Sequence, residues 1–177
     1  AIITFDSVKR NDKGFITEMK MLNEQKKSSN VSCTYDTDGF LTKFSCMYNA
    51  KQGIYTELIW DKGNLMKSMY YERNGDSLKN VGSMEFSYAG SVNKNNNNLY
   101  YPNQYLDIEL FNPLLYAGLM GMPPGNIPTS YVTTVGKTAT RSRISCWHDK
   151  QGRIDIINEN SYYNGFNSKE TITFRYE

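Results

Sequence analysis

Three groups of residues in this chain are of types that could do chemistry. Cys146, His148 and Asp149 lie within four positions of one another. Alternate residues of a strand share a face, so Cys146 and His148 would stand side by side, as a thiol nucleophile and an imidazole base must. The same stretch, Trp147-His148-Asp149-Lys150-Gln151-Gly152-Arg153-Ile154, also has the form of a hairpin corner. Asp149 would open that turn and Gly152 would end it. Geometry, not so short a match, defines a catalytic pair, and the expectation is a structural histidine at the mouth of a turn.

The paired carboxylates Asp36 with Asp38, and Glu170 with Glu177, fall in turns or on strand faces. A glycosidase holds two carboxyls facing each other at a set separation, which these positions do not specify. Asp36-x-Asp38-Gly39 lacks the remaining oxygen ligands of a calcium loop, so an Asx turn is expected there. Tyr100-Tyr101-Pro102-Asn103-Gln104-Tyr105 groups aromatics with amides, a set able to stack on sugars or peptides. The favoured reading is a lid packing its rings against a sheet. The expectation is no catalytic, cofactor-binding or metal-ligating residue, and a ligand site that the sequence does not locate.

Such residues would have to be positioned by strands. The chain has 177 residues, a length that suits one domain spanning 1–177. It is 39% hydrophobic and 21% charged, with 14 tyrosines among its aromatics, which favours a pleated, half-buried surface over helix. Twenty Lys and Arg against 18 Asp and Glu leave a net charge of +2. The longest basic run is Lys26-Lys27, so nucleic acid is excluded as a partner for want of clustered basic charge. No apolar run is long enough for a transmembrane segment. Ala1-Ile2-Ile3-Thr4-Phe5 reads as a strand, not a leader, and the expectation is that an export signal has been removed.

Cys33, Cys46 and Cys146 form no CxxC pair, and one histidine cannot complete a zinc site. A tight turn at Asp36-Thr37-Asp38-Gly39 would set Cys33 opposite residue 42 or 43, out of disulfide reach of Cys46. All three read as unbridged, mostly buried small hydrophobes.

A polar corner ending in glycine recurs along the chain. It stands at Asn11-Asp12-Lys13-Gly14, Asp36-Thr37-Asp38-Gly39, Asp61-Lys62-Gly63, Asn74-Gly75 and Asp149-Lys150-Gln151-Gly152. Asp or Asn starts such a turn by bonding backbone two residues on, and Gly supplies the positive φ that ends it. The first three glycines fall 25 and 24 residues apart, about two strands with their connections. The flanks alternate: Thr42, Phe44, Cys46 and Tyr48 oppose Leu41, Lys43, Ser45 and Met47. Ile54, Thr56, Leu58 and Trp60 oppose Tyr55, Glu57 and Ile59, and Ile172, Phe174 and Tyr176 oppose Thr171, Thr173 and Arg175. That is a sheet with one packed face and one wet face.

Two stretches break the rhythm. Residues 93–98 form an Asn-rich loop, and 107–128 is the most apolar stretch. Within the latter a short helix near 108–121 is expected, with Leu110, Leu114, Leu115 and Leu119 on one face. Asn112 would cap it, Pro113 would start it, and Gly118 or Gly121 would end it. Pro123-Pro124-Gly125-Asn126-Ile127-Pro128 then enforces an extended run. The fold class is all-β: an antiparallel, many-stranded, barrel-like or strongly curved sheet of repeated hairpins with one helical insert, which would plug its open side.

Tyr35-Asp36-Thr37-Asp38-Gly39-Phe40-Leu41 resembles the tyrosine-aspartate repeats of bacterial surface proteins, and Trp147 to Ile154 does so more loosely. Asn112-Pro113-Leu114-Leu115, Gly118-Leu119-Met120-Gly121, Asn126-Ile127-Pro128-Thr129-Ser130 and the closing Ile172-Thr173-Phe174-Arg175-Tyr176 are similar to a second family. That family comprises secreted or lipid-anchored Bacteroidetes proteins of unknown function with a porin-like fold. The resemblance implies a barrel-like sheet, export to the periplasm or cell surface, room for a lipid anchor upstream of Ala1, and no assigned activity. The leading functional expectation is a non-enzymatic binding or scaffold module of the cell envelope, with a carbohydrate or protein ligand. The alternative is a cell-surface hydrolase of a polysaccharide or peptide polymer, with carboxylates in the concavity. A lipid-spanning barrel is disfavoured, because no lipid-facing apolar band with aromatic girdles is visible and the mean hydropathy is −0.61.

Overall fold

A computed structural model describes residues 4–25, 27–89, 111, 114–115, 117–163 and 165–173. Eleven strands form one antiparallel sheet: β1 (Thr4–Arg10), β2 (Ile16–Leu22), β3 (Ser28–Tyr35), β4 (Leu41–Met47), β5 (Gln52–Asp61), β6 (Asn64–Asn74), β7 (Ser77–Ser87), β8 (Ser130–Val135), β9 (Thr138–His148), β10 (Ile154–Tyr163) and β11 (Phe166–Thr173). Their spatial order is their sequence order, so the sheet is a meander with β1 and β11 as its edges. It curves around one apolar interior: Phe111, from the insert between β7 and β8, touches both Phe5 on β1 and Phe44 on β4. The residues 93–98, 100–105, 107–110, 112–113, 174–176 and Glu177 singled out above lie outside the described set.

The glycine-ended corners are built as their residue types require. Asp36 Oδ1 accepts the Gly39 and Phe40 amides at 2.8 and 2.9 Å, while the Asp36 amide donates to the Phe40 carbonyl. Asn11 does the same for Lys13 and Phe15, and Asp149 for Gln151 and Arg153. Asn23 and Asn49 repeat this chemistry at the opposite rim, where no glycine marked the turn in the sequence. The aromatic residue entering a corner has its own task. Tyr35 Oη donates to the Ile16 carbonyl at 2.6 Å, Trp60 Nε1 to Leu41 at 2.7 Å, and Tyr88 Oη to Leu65 at 2.7 Å. Each acceptor lies at or near the start of the strand leaving the previous corner, so these aromatic residues, Tyr35 and Trp60 before a corner Asp and Tyr88 before Ala89, stitch hairpin to hairpin.

The insert runs along this row of corners. Leu114 and Leu115 are helical, and the Gly118 and Leu119 amides close the turn onto the Leu115 and Leu114 carbonyls. Gly118, at φ +69, ends it as the sequence proposed. The chain then extends. The Leu119 carbonyl accepts the Ile16 amide, the Met122 amide donates to Gly39, and the Gly125 amide donates to Gly63. Contacts recur every three residues because three extended residues span about 10 Å, close to the width of two strands, or one hairpin. Phe111, Leu115, Met120 and Ile127 are thereby driven into the interior beside Ile16, Leu41, Phe44 and Leu65.

Two local expectations differ. Cys33 pairs with Phe44, and Cys46 with Val31, one position beyond the register expected from the turn, because a bulge skips Thr42 of β4 between Leu41, opposite Tyr35, and Lys43, opposite Thr34. The same bulge resets the pleat, so Leu41 is buried together with Phe44 and Cys46 instead of opposing them. The three cysteines remain thiols; Cys33 and Cys46 are buried and Cys146 is half-buried. Every residue of β11 is exposed, Ile172 included, so within the described residues this strand carries no packed face.

Candidate functional site

The residues first considered for chemistry are placed apart or used structurally. His148 and Trp147 are exposed, and Cys146 pairs across to Ile157 with no hydrogen bond to His148 among the described residues. Both Asp149 carboxylate oxygens are engaged at the corner: Oδ1 by two amides and Oδ2 by Arg153 Nε at 2.7 Å. Asp36 is occupied by its own turn, and Asp38 is exposed. Among the described residues no group of three or more His, Cys, Asp or Glu is placed to hold a metal ion.

A different set converges on the concave face of β8 to β11. Side chains of one sheet face recur at period two, and directly paired residues point the same way. Pairing therefore lays out three neighbouring rows. Glu170 on β11 faces Glu159 on β10, which faces Ile144 on β9. Ser168 faces Ser161, then Ser142, then Tyr131 on β8. Phe166 faces Tyr163 on β10, and Thr140 on β9 faces Thr133 on β8.

The rows are hydrogen-bonded to one another. Buried Tyr131 donates its phenol to Glu159 Oε1, and Ser161 Oγ donates to the same oxygen at 3.0 Å. Ser142 and Ser161 share a hydrogen bond of 2.6 Å. Burial pushes the Tyr131 phenol well above its ordinary value, and the acceptor Glu159 pushes it further. Tyr131 is thus held as a neutral donor to the carboxylate. Opposite Glu159, the side chain of Glu170 brings a second carboxylate to within about 4.5–5.5 Å at Cβ, as directly paired strand residues are. Like charges so placed are destabilising unless something between them compensates.

Beyond the serine row the sheet opens into a depression of about 340 Å³ lined by Thr133, Val135, Thr138, Thr140 and Tyr163. Thr133 is only 3% exposed, and its hydroxyl finds no hydrogen-bond partner among the described residues. An unpaired buried hydroxyl costs about 1–3 kcal/mol, so it is not an indifferent feature. Phe166, the cross-strand partner of Tyr163, is 77% exposed.

Sequence reasoning passed over this set because its members come from four strands and no two neighbours form a motif. One signal was present. Thr138, Thr140 and Ser142 continue at period two into Ile144 and Cys146, and Tyr163, Ser161 and Glu159 continue into Ile157. A face that turns from apolar to hydroxylated along one hairpin marks where the packed core ends and an open, polar wall begins.

Fold and site together describe an antiparallel wall strapped at one rim. The chain is similar to the crystal structure of a porin-like protein from Bacteroides uniformis ATCC 8492, with 15% identity, a TM-score of 0.64, and coverage of 91% of this chain and 64% of that one. It is also similar to a porin-like protein from Bacteroides vulgatus ATCC 8482, with 16% identity, a TM-score of 0.65, and coverage of 97% and 76%. It therefore spans just under two thirds of the first structure's length. No family model matches the chain, and no curated protein does either.

Proposed function

We propose that this protein is an exported, non-enzymatic binding or scaffold module of a bacterial cell envelope, acting as a single β domain. The observation that carries this reading is the filled interior. Where a porin has an aqueous lumen, Phe111, Leu115, Met120 and Ile127 pack against the sheet as an ordinary core. The likeness to porin-like Bacteroides proteins supports an envelope setting. The convex wall supports a water-facing role, with ion pairs Lys9–Glu18 and Lys67–Glu85, each at 2.6 Å, where a membrane barrel carries lipid-facing apolar side chains. Among the described residues no helix is long and apolar enough to cross a membrane. A lipid anchor joined ahead of this domain is part of the same proposal. Fractionation of the native host with protease digestion of intact cells tests it: recovery in the envelope is expected, and recovery in the cytosol overturns it.

One observation favours a second reading, hydrolysis of a cell-surface polymer. Glu159 and Glu170 face each other on the concave face of β10 and β11, the arrangement from which a two-carboxylate hydrolase is built. In that case Glu159→Gln and Glu170→Gln would each abolish release of reducing ends from polysaccharide. No release by the unaltered protein removes this reading and leaves the first.

A further inference from the structure

Resting on the binding-module reading, we propose that the convex face of β9–β11 binds an anionic polysaccharide laid along β9. Arg141, Arg143 and Lys169 supply the cations for its carboxylate or sulfate groups, and Tyr162 and Trp147 supply rings for its sugars to stack on.

The observation behind this is how charge is paired along the sheet. Each lysine in β1–β7 stands directly across from an acid: Lys9 from Glu18, Lys20 from Asp6, Lys43 from Glu57, Lys67 from Glu85 and Lys79 from Glu72. Opposite charges so placed compensate one another. The cations of β8–β11 are set differently. Arg141 stands across from Val132 and Tyr162, Arg143 from Ser130 and Asn160, and Lys169 from Asn160. None of the three has an ion pair among the described residues. The acids of this end are turned away, because Glu159 and Glu170 share the concave face with buried Ile144. Asp155 lies at the bulge beside the last corner. Glu85, the acid next along the Arg141 row beyond Val132, is held by Lys67 at 2.6 Å. Cations on one side of the sheet with the acids on the other leave an outward field of one sign.

The shape of the strip selects a polymer. Arg141, Arg143, Ser145 and Trp147 point outward in turn along β9 and are all exposed, over six residues or about 20 Å. A guanidinium takes the oxygens of a carboxylate or sulfate through paired hydrogen bonds. Around the cations lie Ser145, Asn158 and Asn160, whose hydroxyl and amides donate and accept as a sugar's hydroxyls do. The Tyr162 and Trp147 rings, 55% and 49% exposed, flank them with amphipathic area suited to the apolar face of a sugar. Other anions match less of this. A membrane-docking patch gathers about four to eight basic residues, and three stand here. A protein interface has an apolar centre, and this centre is amide and hydroxyl. A nucleic acid is held by more phosphate contacts than three cations make.

The test uses the purified chain and isothermal titration with polygalacturonate and with chondroitin sulfate. Dextran is the neutral control, and a DNA duplex, polyglutamate and phosphatidylglycerol vesicles are the competing anions. The expected result is saturable, salt-weakened binding of at least one of the two acidic polysaccharides and none of dextran. Arg143→Gln should weaken that binding by about tenfold, the loss of one charge-assisted contact. Tyr162→Ala alters no charge and should weaken it by about three- to tenfold. Lys20→Gln removes a charge that Asp6 already compensates and should leave affinity unchanged. All three side chains are exposed, so each variant should keep the circular dichroism spectrum of the parent. Absence of binding by both acidic polysaccharides overturns the proposal. So does a Lys20→Gln effect as large as that of Arg143→Gln, an unchanged affinity in Tyr162→Ala, or equal or tighter binding of DNA, polyglutamate or vesicles. Envelope fractionation is read separately. A chain found in the envelope that binds neither polysaccharide sinks this inference alone, and one that binds them from the cytosol sinks the envelope reading alone.

Discussion

The two ends of this sheet are built from the same corner chemistry and come out opposite in character. At the strapped rim of β1–β6, inward side chains such as Ile16, Leu41, Phe44 and Leu65 are buried under the insert. On β9–β11 the inward positions turn to threonine, serine and glutamate, and the last strand is exposed throughout. The difference lies in what covers the sheet, not in the sheet itself. One strap of chain reaches three corners through backbone hydrogen bonds at Ile16, Gly39 and Gly63, then pairs with Ser87 and Ile144 through Thr129 on its way into β8. Past that point nothing described lies over the concave face, and the residue types change accordingly.

The largest expected effect comes from breaking the covered end. Leu115 is 2% exposed in the core, and a carboxylate there would be buried without a partner. Leu115→Asp should cost about 3–5 kcal/mol or unfold the chain outright, read as loss of the cooperative urea transition. A fully folded variant of parental stability would mean that the insert does not plug the sheet.

Smaller, and specific to the strap, is Gly121→Ala. Gly121 has φ +104, and an added Cβ would sit 3.0 Å from the Gly39 carbonyl and 3.1 Å from the Leu41 amide. Both the backbone strain and the approach of strap to corner predict a loss of about 1–3 kcal/mol by denaturant titration. Tyr35→Phe removes the phenol that donates to the Ile16 carbonyl and is hydrogen-bonded with the Cys33 side chain, and about 1 kcal/mol is expected. If Gly121→Ala proved harmless while Tyr35→Phe did not, the corners would be held by their own stitching and not by the strap.

Alkali should weaken both ends together. Burial pushes the Cys33 thiol up to about 12, and burial likewise raises the Tyr88 and Tyr131 phenols. In the unfolded chain these groups ionise at about 8.5 and about 10. Each raised value means that the folded state holds a proton the unfolded state releases. Their contribution is intact below about pH 8.5 and is lost as pH climbs through about 12. The melting temperature should therefore fall steadily from pH 8.5 upward, and Cys33→Ala should flatten the first part of that fall. A melting temperature constant to pH 11 would contradict the burial of these groups.

How much of this the sequence disclosed follows the range of each interaction. Corners such as Asp36 to Gly39 are local, a carboxylate bonding amides three and four residues on, and they were legible. Period two in β5, and in β4 beyond the bulge at Thr42, was legible for the same reason. The helical turn ended by Gly118 and the burial of Leu115 were expected from the apolar insert. The register was missed by one position at Cys33, because the bulge that skips Thr42 exists only in the pairing of β3 with β4. The candidate site was missed for the larger reason that Tyr131, Ser142, Glu159 and Glu170 meet only through pairing of four strands. Attention to Cys146 and His148, neighbours in sequence, found a turn.

The smallest expected effect has the opposite sign and separates the two ends most sharply. Thr133→Val keeps the shape of the side chain and deletes a hydroxyl that has no partner among the described residues. In a region selected only for packing, a valine would already serve, and removing the unpaired group should raise stability by up to about 1 kcal/mol. Glu170→Gln should act in the same direction, by about 0.2–1 kcal/mol, because it relieves the charge facing Glu159. Thr56 and Ser68 on β5 and β6 carry buried hydroxyls of the same kind among the described residues, so what sets the β8–β11 face apart is the pair of facing carboxylates, residues that cost stability where they stand and mark a surface kept for contact with something else. Denaturation midpoints of these two variants above that of the parent would place the strain on β8–β11. Midpoints below it would show that Thr133 and Glu170 help to hold the fold, and the contrast between the ends would collapse into one continuous core.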